Sequence, residues 1–359
     1  MSNGLFNRMF PVPKFLSMPS FGLDISDESL KFVELIATNN GIRLGRYGER
    51  KIPAGIIESG RIKNLKKMEE VLASFKKEEK IKSARVSLPE EQVYLFEFQP
   101  PKAEVENIRE SIELSIEEYI PLSAQDAVFD FQILKEGENN LDIQVSAIPR
   151  NVVEDYLTVF KNSAIKVKSF ELEAQAISRA VVKKNDFDTY MIVDFGQKRT
   201  GIFIVSQGVV MFTSTLDVGG LLLTNIIQKS FKIGFDEAEK MKKKYGLERN
   251  TRNKELFSVI LNSISILRDE IMKHFVYWNT HKEGGESRPP IKKIILCGGD
   301  SNLIGLSEYL SISTKNKIEI ANVWNNIIDT KKNIPKISFE QSLSYVAALG
   351  LALGDFEHD

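Results

Sequence analysis

One pattern occurs twice in this chain and constrains its fold more than any other feature. A short apolar strand that carries an aspartate near its end is followed by a tight turn, a second strand, a hairpin turn and a third strand. The first copy occupies residues 21–55 and begins FGLDISDESLKFVEL, and the second occupies residues 190–220 and begins YMIVDFGQKRTG. Identity between the copies is low, so a structure rather than a sequence is repeated. A chain of 359 residues with two such copies is expected to form two α/β domains, or one domain in two lobes.

Charge, cysteine and histidine content exclude several classes of function. The net charge of −1 argues against a general nucleic-acid-binding protein, which needs a clear cationic excess. The single cysteine, Cys297, excludes an internal disulfide and is expected to be a core residue, while His274, His281 and His358 lack the spacing of metal ligands. No apolar run approaches the ~20 residues that span a bilayer, and the N-terminus lacks the pattern of a secretory signal. These features predict a cytoplasmic protein.

The order of the predicted elements divides the chain into two lobes, an inserted unit and two tails. Between the two parts of the first lobe, the pattern strand–helix–strand–strand–helix predicts a compact inserted unit. The N-terminal tail mixes Phe, Met and Pro without a period, and we expect it to pack on the body or on a partner rather than insert into lipid. The predicted units are the tail 1–20, the first lobe 21–92 and 166–184, the inserted unit 93–165, the second lobe 185–355 and the tail 356–359.

The aspartates of the two copies, Asp24 and Asp194, suggest a bound nucleotide. Each hairpin turn can present backbone N–H groups to phosphate oxygens, and each carboxylate can hold the waters of a magnesium ion. Gly196, two residues after Asp194, allows close approach of the backbone, and the Thr200 hydroxyl is within reach of the same site. The alternative is a pair of ordinary hairpins with aspartate-led turns whose charges are solvated.

Two further segments could complete such a site. The strand 291–297 runs into Gly298-Gly299, where a ligand can lie against bare backbone, although left-handed turns use the same residues. Glu239 and Lys242 lie one helical turn apart and could grip a ribose and a base, or they could form part of a solvated charged face.

Taken in this order, the pieces resemble the actin–hexokinase–heat-shock chaperone superfamily. Within it the chain looks like the PilM family of actin-like proteins of type IV pilus assembly, which is similar to the division protein FtsA. The most diagnostic stretch is SLPEEQVYLFEFQPPKAEVENIRESIELSIEEYIPLSAQDAVFDFQIL, which resembles the inserted subdomain of that family. The resemblance covers about residues 21–355. It implies an actin-like α/β fold of two lobes, a duplicated ribonuclease H-like fold with an FtsA/PilM-type inserted subdomain.

The same resemblance implies that ATP and Mg²⁺ bind between the lobes. Asp24 and Asp194 would be the catalytic residues and would hold the metal through water. The other nucleotide contacts would come from the two phosphate loops, a helix start, the ribose-binding pair and the adenosine strand: Ser26, Lys31, Gly196, Thr200, Gly219, Gly220, Glu239, Lys242, Gly298 and Gly299.

A partner is implied as well, namely a PilN-like membrane protein whose short N-terminal cytoplasmic segment docks beside the inserted subdomain. The protein would then be a scaffold at the inner face of the membrane, in a pilus or a type II secretion platform, with self-association left open and no role for nucleic acid. The expected docking residues lie on two strands and one helix end: Val93, Tyr94, Phe96, Ile116, Ile120 and Phe129.

The first turn departs from the pattern of the family. Members usually carry a Gly-Ser-Ser type of loop after the first aspartate, whereas this chain has Ser26-Asp27-Glu28-Ser29, with two acids where phosphate would approach. We therefore expect ATP binding with at most slow hydrolysis. The alternatives are a small-molecule kinase of the same superfamily, although no extra loop for a sugar pocket is found between Ala84 and Lys102, and a filament-forming actin-like protein.

Overall fold

The computed structural model describes most of the chain, and the remainder includes nearly all of both predicted tails and the Asn39-Asn40 part of the first hairpin turn. The described ranges are 20–38, 41–102, 107–248, 254–283, 286–327 and 334–356.

These ranges contain seventeen strands and ten α-helices. The strands are β1 Phe21–Ile25, β2 Ser29–Thr38, β3 Gly41–Lys51, β4 Ile57–Glu58, β5 Arg61–Ile62, β6 Ser83–Leu88, β7 Tyr94–Phe98, β8 Ala127–Glu136, β9 Leu141–Pro149, β10 Lys166–Leu172, β11 Thr189–Phe195, β12 Thr200–Ser206, β13 Val209–Leu216, β14 Lys282–Glu283, β15 Glu286–Ser287, β16 Ile291–Cys297 and β17 Ile318–Ile320. The helices are α1 Leu65–Glu79, α2 Ile108–Tyr119, α3 Arg150–Asn162, α4 Glu173–Val181, α5 Gly220–Phe231, α6 Phe235–Tyr245, α7 Lys254–Thr280, α8 Leu306–Thr314, α9 Phe339–Ser342 and α10 Val346–Leu353. None of these helices is both long and apolar enough to cross a membrane.

Two five-stranded sheets are built on the same plan. Their strand orders are β10-β6-β1-β2-β3 and β13-β12-β11-β16-β17. In each sheet the aspartate-bearing strand, β1 or β11, is antiparallel to the strand after it and parallel to a later strand. The repeat expected from the sequence is therefore present in the architecture. A short apolar strand suits this central position because both of its faces are covered.

The inserted unit is a three-stranded antiparallel sheet of order β7-β9-β8 with α2 packed on it. Ile108, Ile112 and Ile116 lie four residues apart along α2, so they share one face and enter the core of this unit. The boundary predicted at residue 165 is wrong for α3. The Tyr156 and Phe160 side chains of α3 lie in the core of the first sheet, because the apolar face of α3 turns toward α1 rather than toward α2.

Helices α4 and α10 cross closely between the two sheets. A Cβ built on Gly350 of α10 would lie 1.7 Å from the backbone oxygen of Ala176 in α4, so only a glycine permits this distance. One continuous apolar core contains residues of β2, α4, α10 and the second sheet, which connects the two lobes at their base.

Several elements differ from the sequence-based prediction. The sequence predicts helices over Lys102–Tyr119 and Glu171–Lys184. The first is described as α2 from Ile108 onward, with residues 103–106 outside the described ranges, and α4 ends at Val181. Helix α8 begins at Leu306 because Gly305, with φ of +77°, starts it in the left-handed region after a 3₁₀ turn. The short strands β4, β5, β14, β15 and β17 were not predicted, since two or three residues carry no periodic signal.

Candidate functional site

A cavity of about 420 Å³ lies between the two five-stranded sheets, within the size range of ligand-binding clefts. Its walls come from the β1–β2 turn, the β11–β12 turn, α6, the segment after β16 and the start of α10. Nine of the twelve predicted cofactor-binding residues line it: Asp24, Ser26, Lys31, Asp194, Gly196, Glu239, Lys242, Gly298 and Gly299.

Thr200, Gly219 and Gly220 are the three predicted residues that do not line the cavity. Thr200 is fully buried and its hydroxyl donates to the Val218 carbonyl at 2.6 Å, because strand alternation turns this side chain into the core. The Gly220 amide donates to the Gly196 carbonyl at 3.1 Å. The start of α5 therefore anchors the second turn, and the prediction that these residues contact a ligand directly is not supported by their positions.

Asp24 and Lys31 face each other across β1 and β2, because the strand register pairs them directly. The Ser87 hydroxyl donates to Asp24 Oδ1 at 2.9 Å and orients the carboxylate. Burial raises the pKa of Asp24, and the charge of Lys31 opposes that rise.

Asp194 lines the same cavity, and we call the half-buried residues Asp24, Lys31, Asp194 and Glu173 the floor of the cavity. Burial raises the pKa of Asp194 to about 6, with a further contribution from Asp24, while Lys31 acts in the opposite direction. Cys297 is fully buried, as predicted, and its Sγ lies 3.9 Å from Asp194 Oδ1. Burial raises the pKa of this thiol well above its ordinary value, which agrees with a core residue rather than a nucleophile.

Glu173 is a floor residue that sequence reasoning missed. It is the first residue of α4, and burial raises its pKa well above the ordinary value, followed by the charges of Asp24, Asp194 and Glu90. A glutamate at a helix start is common, since it complements the helix dipole, so the sequence offered no signal for this role. Only the tertiary structure places it beside the two aspartates.

The floor has the composition of a site for a hydrated cation. The charge of Asp24 raises the pKa of Asp194, and the charges of both aspartates raise the pKa of Glu173, so a divalent cation would remove part of the cost of keeping these carboxylates together. In the described part of the chain, no three acidic, histidine or cysteine side chains are arranged to ligate an ion directly. The carboxylates fit an ion that keeps its water shell, as Mg²⁺ does.

Glycine is required where the backbone enters the cavity after β16. Gly298 has φ of +91°, and a Cβ at this position would lie 2.4 Å from Asp194 Oδ1. Next to it, a Cβ on Gly299 would lie 3.3 Å from the Ser344 side chain. Because neither glycine has a side chain, their backbone faces the cavity directly, between Asp194 on one side and Ser344 on the other.

The predicted ribose-binding pair has a different arrangement from the one expected. Lys242 Nζ is buried and donates to Asp300 Oδ1 at 2.7 Å and to the Gly220 carbonyl at 3.0 Å, and it lies 3.0 Å from Glu239 Oε2. These three contacts use the three N–H donors of the lysine. Lys242 therefore positions Glu239, and the carboxylate of Glu239, paired with Lys243 at 3.1 Å, is the group presented to the cavity.

The expected docking residues of the inserted unit divide into two groups. Val93, Tyr94 and Phe96 are half-buried, with the Phe96 ring stacked on Tyr119 at 4.7 Å. The structure contradicts the prediction for the other three, because these side chains lie in the core of the unit and offer no surface to a partner: Ile116, Ile120 and Phe129. Alternating apolar residues look alike in sequence whether they face a core or a groove.

The fold and the cavity define the class of protein: an actin-like protein with two lobes and a ligand cleft between them. Solved structures of MreB5 from Spiroplasma citri, one bound to ADP and one to AMPPNP, share this fold at TM-scores of 0.58 and 0.57. The ADP-bound structure is 15% identical, and the match covers 95% of this chain and 96% of that chain. The AMPPNP-bound structure is 16% identical, and the match covers 96% of this chain and 97% of that chain.

The family model described as type IV pilus assembly protein PilM matches residues 22–356, and the chain belongs to that family. A solved PilM-PilN type IV pilus biogenesis complex matches with a TM-score of 0.76 and 21% identity, over 95% of this chain and 99% of that one. The cell division protein FtsA of Neisseria meningitidis is 23% identical over 188 residues, which are 47% of this chain and 45% of FtsA. The chain thus spans about half the length of the curated relatives it matches.

Proposed function

We propose that this protein is an ATP-binding scaffold of the type IV pilus assembly platform at the cytoplasmic face of the membrane. The observation that carries the nucleotide part is that Asp24 and Asp194, one from each copy of the repeat, lie together with Lys31 on the floor of the cavity. A lysine next to paired carboxylates suits the phosphates of a nucleotide and the metal that accompanies them.

The chain's own residues suggest how such a nucleotide would be held. Lys31 would face the phosphates, Asp24 and Asp194 would hold the waters of Mg²⁺, and the Gly298-Gly299 backbone would accept the adenosine. Glu239 would receive the ribose hydroxyls. Glu173, whose pKa burial raises well above its ordinary value, would accept a proton from a water. The bound metal would supply charge neutralisation, and we expect turnover to be slow.

The membrane-protein partner rests on membership of the family and on the fold shared with the PilM-PilN complex. We place its extended N-terminal segment on a surface that we call the β7 face, formed by Tyr94, Phe96 and Tyr119. These side chains are partly exposed and aromatic, which suits anchoring of apolar side chains of a peptide.

Calorimetry with a matched pair of glycine variants tests nucleotide binding. We expect Mg-ATP to bind the wild type, with affinity at least about tenfold weaker when the metal is chelated. Gly298→Ala should abolish the binding, because its Cβ would enter the cavity against Asp194. Gly208→Ala is the control: Gly208 also has a positive φ, of +80°, but lies on the β12–β13 turn with open space around it. Absence of heat from the wild type, with and without metal, would disprove the nucleotide proposal.

A further inference from the structure

The two turns that face each other across the cleft carry opposite charges. The first turn contributes Asp27 and Glu28, and the second contributes Lys198 and Arg199. Lys198 Nζ lies 3.2 Å from Glu28 Oε1, and Arg199 Nη2 lies 3.0 Å from Asp27 Oδ2. The two acids that depart from the family's usual loop are thus paired with two cations of the opposite lobe.

Arg199 is the centre of this contact. Besides Asp27, its guanidinium reaches the Ser59 hydroxyl at 3.2 Å, Asp217 at 3.3 Å and the carboxylate of Glu91. Only about 20% of the Arg199 side chain is exposed, so this is more than a surface ion pair. The planar guanidinium offers several donors in a fixed geometry, which lets one residue join several acceptors.

The first lobe holds Asp27 in place for this contact. Asp27 Oδ1 accepts from the Gly60 amide at 3.0 Å, and Oδ2 accepts from the Ser59 amide at 3.1 Å. The Tyr156 hydroxyl donates to the Gly60 carbonyl at 3.2 Å from the other side. Asp27 is therefore a rigid acceptor, and the Arg199 side chain is the part of the contact that can move.

Glu91 extends the contact to the inserted unit. It lies in the 3₁₀ turn Glu90–Gln92, three residues before the start of β7 at Tyr94. In the same turn, Glu90 Oε2 accepts from the Ala174 amide in the first turn of α4 at 3.1 Å. Loss of the Arg199 contact would therefore act, through Glu91, on the segment that leads from the cleft to β7.

From these contacts we infer that Arg199 is a latch: it ties the second lobe to Asp27 and Glu91 of the first lobe, and a phosphate-bearing ligand in the cleft releases it. The ligand-dependent half rests on the proposed function. The chemistry is an exchange of partners, because phosphate oxygens compete with carboxylates for a guanidinium and bind it bidentately. Arg199 lines the cavity, so it can make this exchange without leaving its turn.

Pulsed electron paramagnetic resonance between the lobes tests the latch. Spin labels attached to cysteines introduced at the exposed positions Lys77 in α1 and Lys240 in α6 report the distance between the lobes, while the native Cys297 is buried and stays unlabelled. Without ligand, Arg199→Gln should broaden the distance distribution and shift it to longer values, with Arg199→Lys in between. Lys229→Gln, which removes an exposed charge of the same lobe outside the cavity, should leave the distribution unchanged.

Glu91→Gln removes the charge of an Arg199 partner in the first lobe, so the test remains decisive if an Arg199 variant folds poorly. A distribution identical to that of the wild type in both Arg199→Gln and Glu91→Gln would overturn the latch. With saturating Mg-ATP, wild type and Arg199→Gln should give the same distribution, since the latch is then released in both. A difference that persists despite binding seen by calorimetry would overturn the ligand-dependent half. If the wild type gives no heat with Mg-ATP, the proposed function and that half fail together, and the ligand-free comparison still decides the latch.

Discussion

At the scale of single residues, the site stores an electrostatic cost that a variant can relieve. Because burial raises the pKa of Asp194 to about 6, the folded chain binds a proton more tightly than the unfolded chain does. Stability therefore falls as pH rises from about 4 through about 6. Asp194→Asn should raise the free energy of unfolding by about 2 kcal/mol near pH 8 and by little near pH 4. Urea unfolding at both pH values measures this, and the same variant should lose Mg-ATP binding.

Glu118→Gln, which neutralises an exposed acid on α2, is the control and should leave the free energy of unfolding unchanged at both pH values. Destabilisation by Asp194→Asn near pH 8 would contradict the idea of a crowded acidic floor. Asp24 and Glu173 share that floor with Lys31, so part of the gain should appear as a lowering of their own pKa values.

How much of the site could be predicted also differs from residue to residue. Asp24, Asp194 and Gly298 were found because a strand that ends in an acid or a Gly-Gly pair has a local signature. Thr200 was placed wrongly because its distance from Asp194 in sequence ignores the direction of the side chain on β12. No sequence pattern predicted a role for Arg199, since its partners Asp27 and Glu91 belong to the other lobe and are distant in sequence. Spacing reveals local geometry, whereas pairing between distant segments appears only in the folded chain.

At the scale of elements, the β7 face can be separated from the core of the inserted unit. Tyr119 is 45% exposed and stacks on Phe96, whereas Leu114, on the same helix, is 79% exposed and lies outside the β7 face. Tyr119→Glu should weaken binding of a synthetic peptide of the partner's cytoplasmic segment by at least about tenfold, because a charge replaces an aromatic anchor. Leu114→Glu should bind as the wild type does. Fluorescence anisotropy with the labelled peptide measures both affinities.

Equal affinities of the two variants would remove the β7 face from consideration as the docking surface. A charge at Ile116 or Phe129 would be a poor test, because these side chains are buried in the core of the unit and the variant would unfold it. The exposed half of the aromatic cluster can be altered while that core is kept.

At the scale of the whole molecule, the crossing of α4 and α10 makes the two lobes one mechanical unit. The apolar core at this crossing includes Val33 of the first sheet and Ile192 of the second, so neither lobe can unfold without exposing surface of the other. A second close approach, between Gly22 of β1 and the Ala348 backbone of α10, fixes the last helix on the first sheet. We therefore expect relative motion of the lobes to be a rotation about this crossing, with the cleft opening at the opposite end.

A matched glycine pair tests whether the crossing holds the molecule together. In an ordinary helix, Gly→Ala stabilises by about 1 kcal/mol. At Gly350 the added Cβ would lie 1.7 Å from the Ala176 carbonyl oxygen, and backbone atoms cannot yield as a flexible side chain can. Gly350→Ala should therefore destabilise the protein by about 2 kcal/mol or more. Both lobes should still unfold together, in a single cooperative transition. Gly234→Ala has open space around it, and because this glycine is the N-cap of α6 the variant should cost no more than about 1 kcal/mol. Urea unfolding followed by circular dichroism and by tryptophan fluorescence decides the matter, because Trp278 and Trp324 lie in different cores. If Gly350→Ala is as stable as Gly234→Ala, or if the two signals change at different urea concentrations, the lobes fold independently and the crossing is not the axis of their motion.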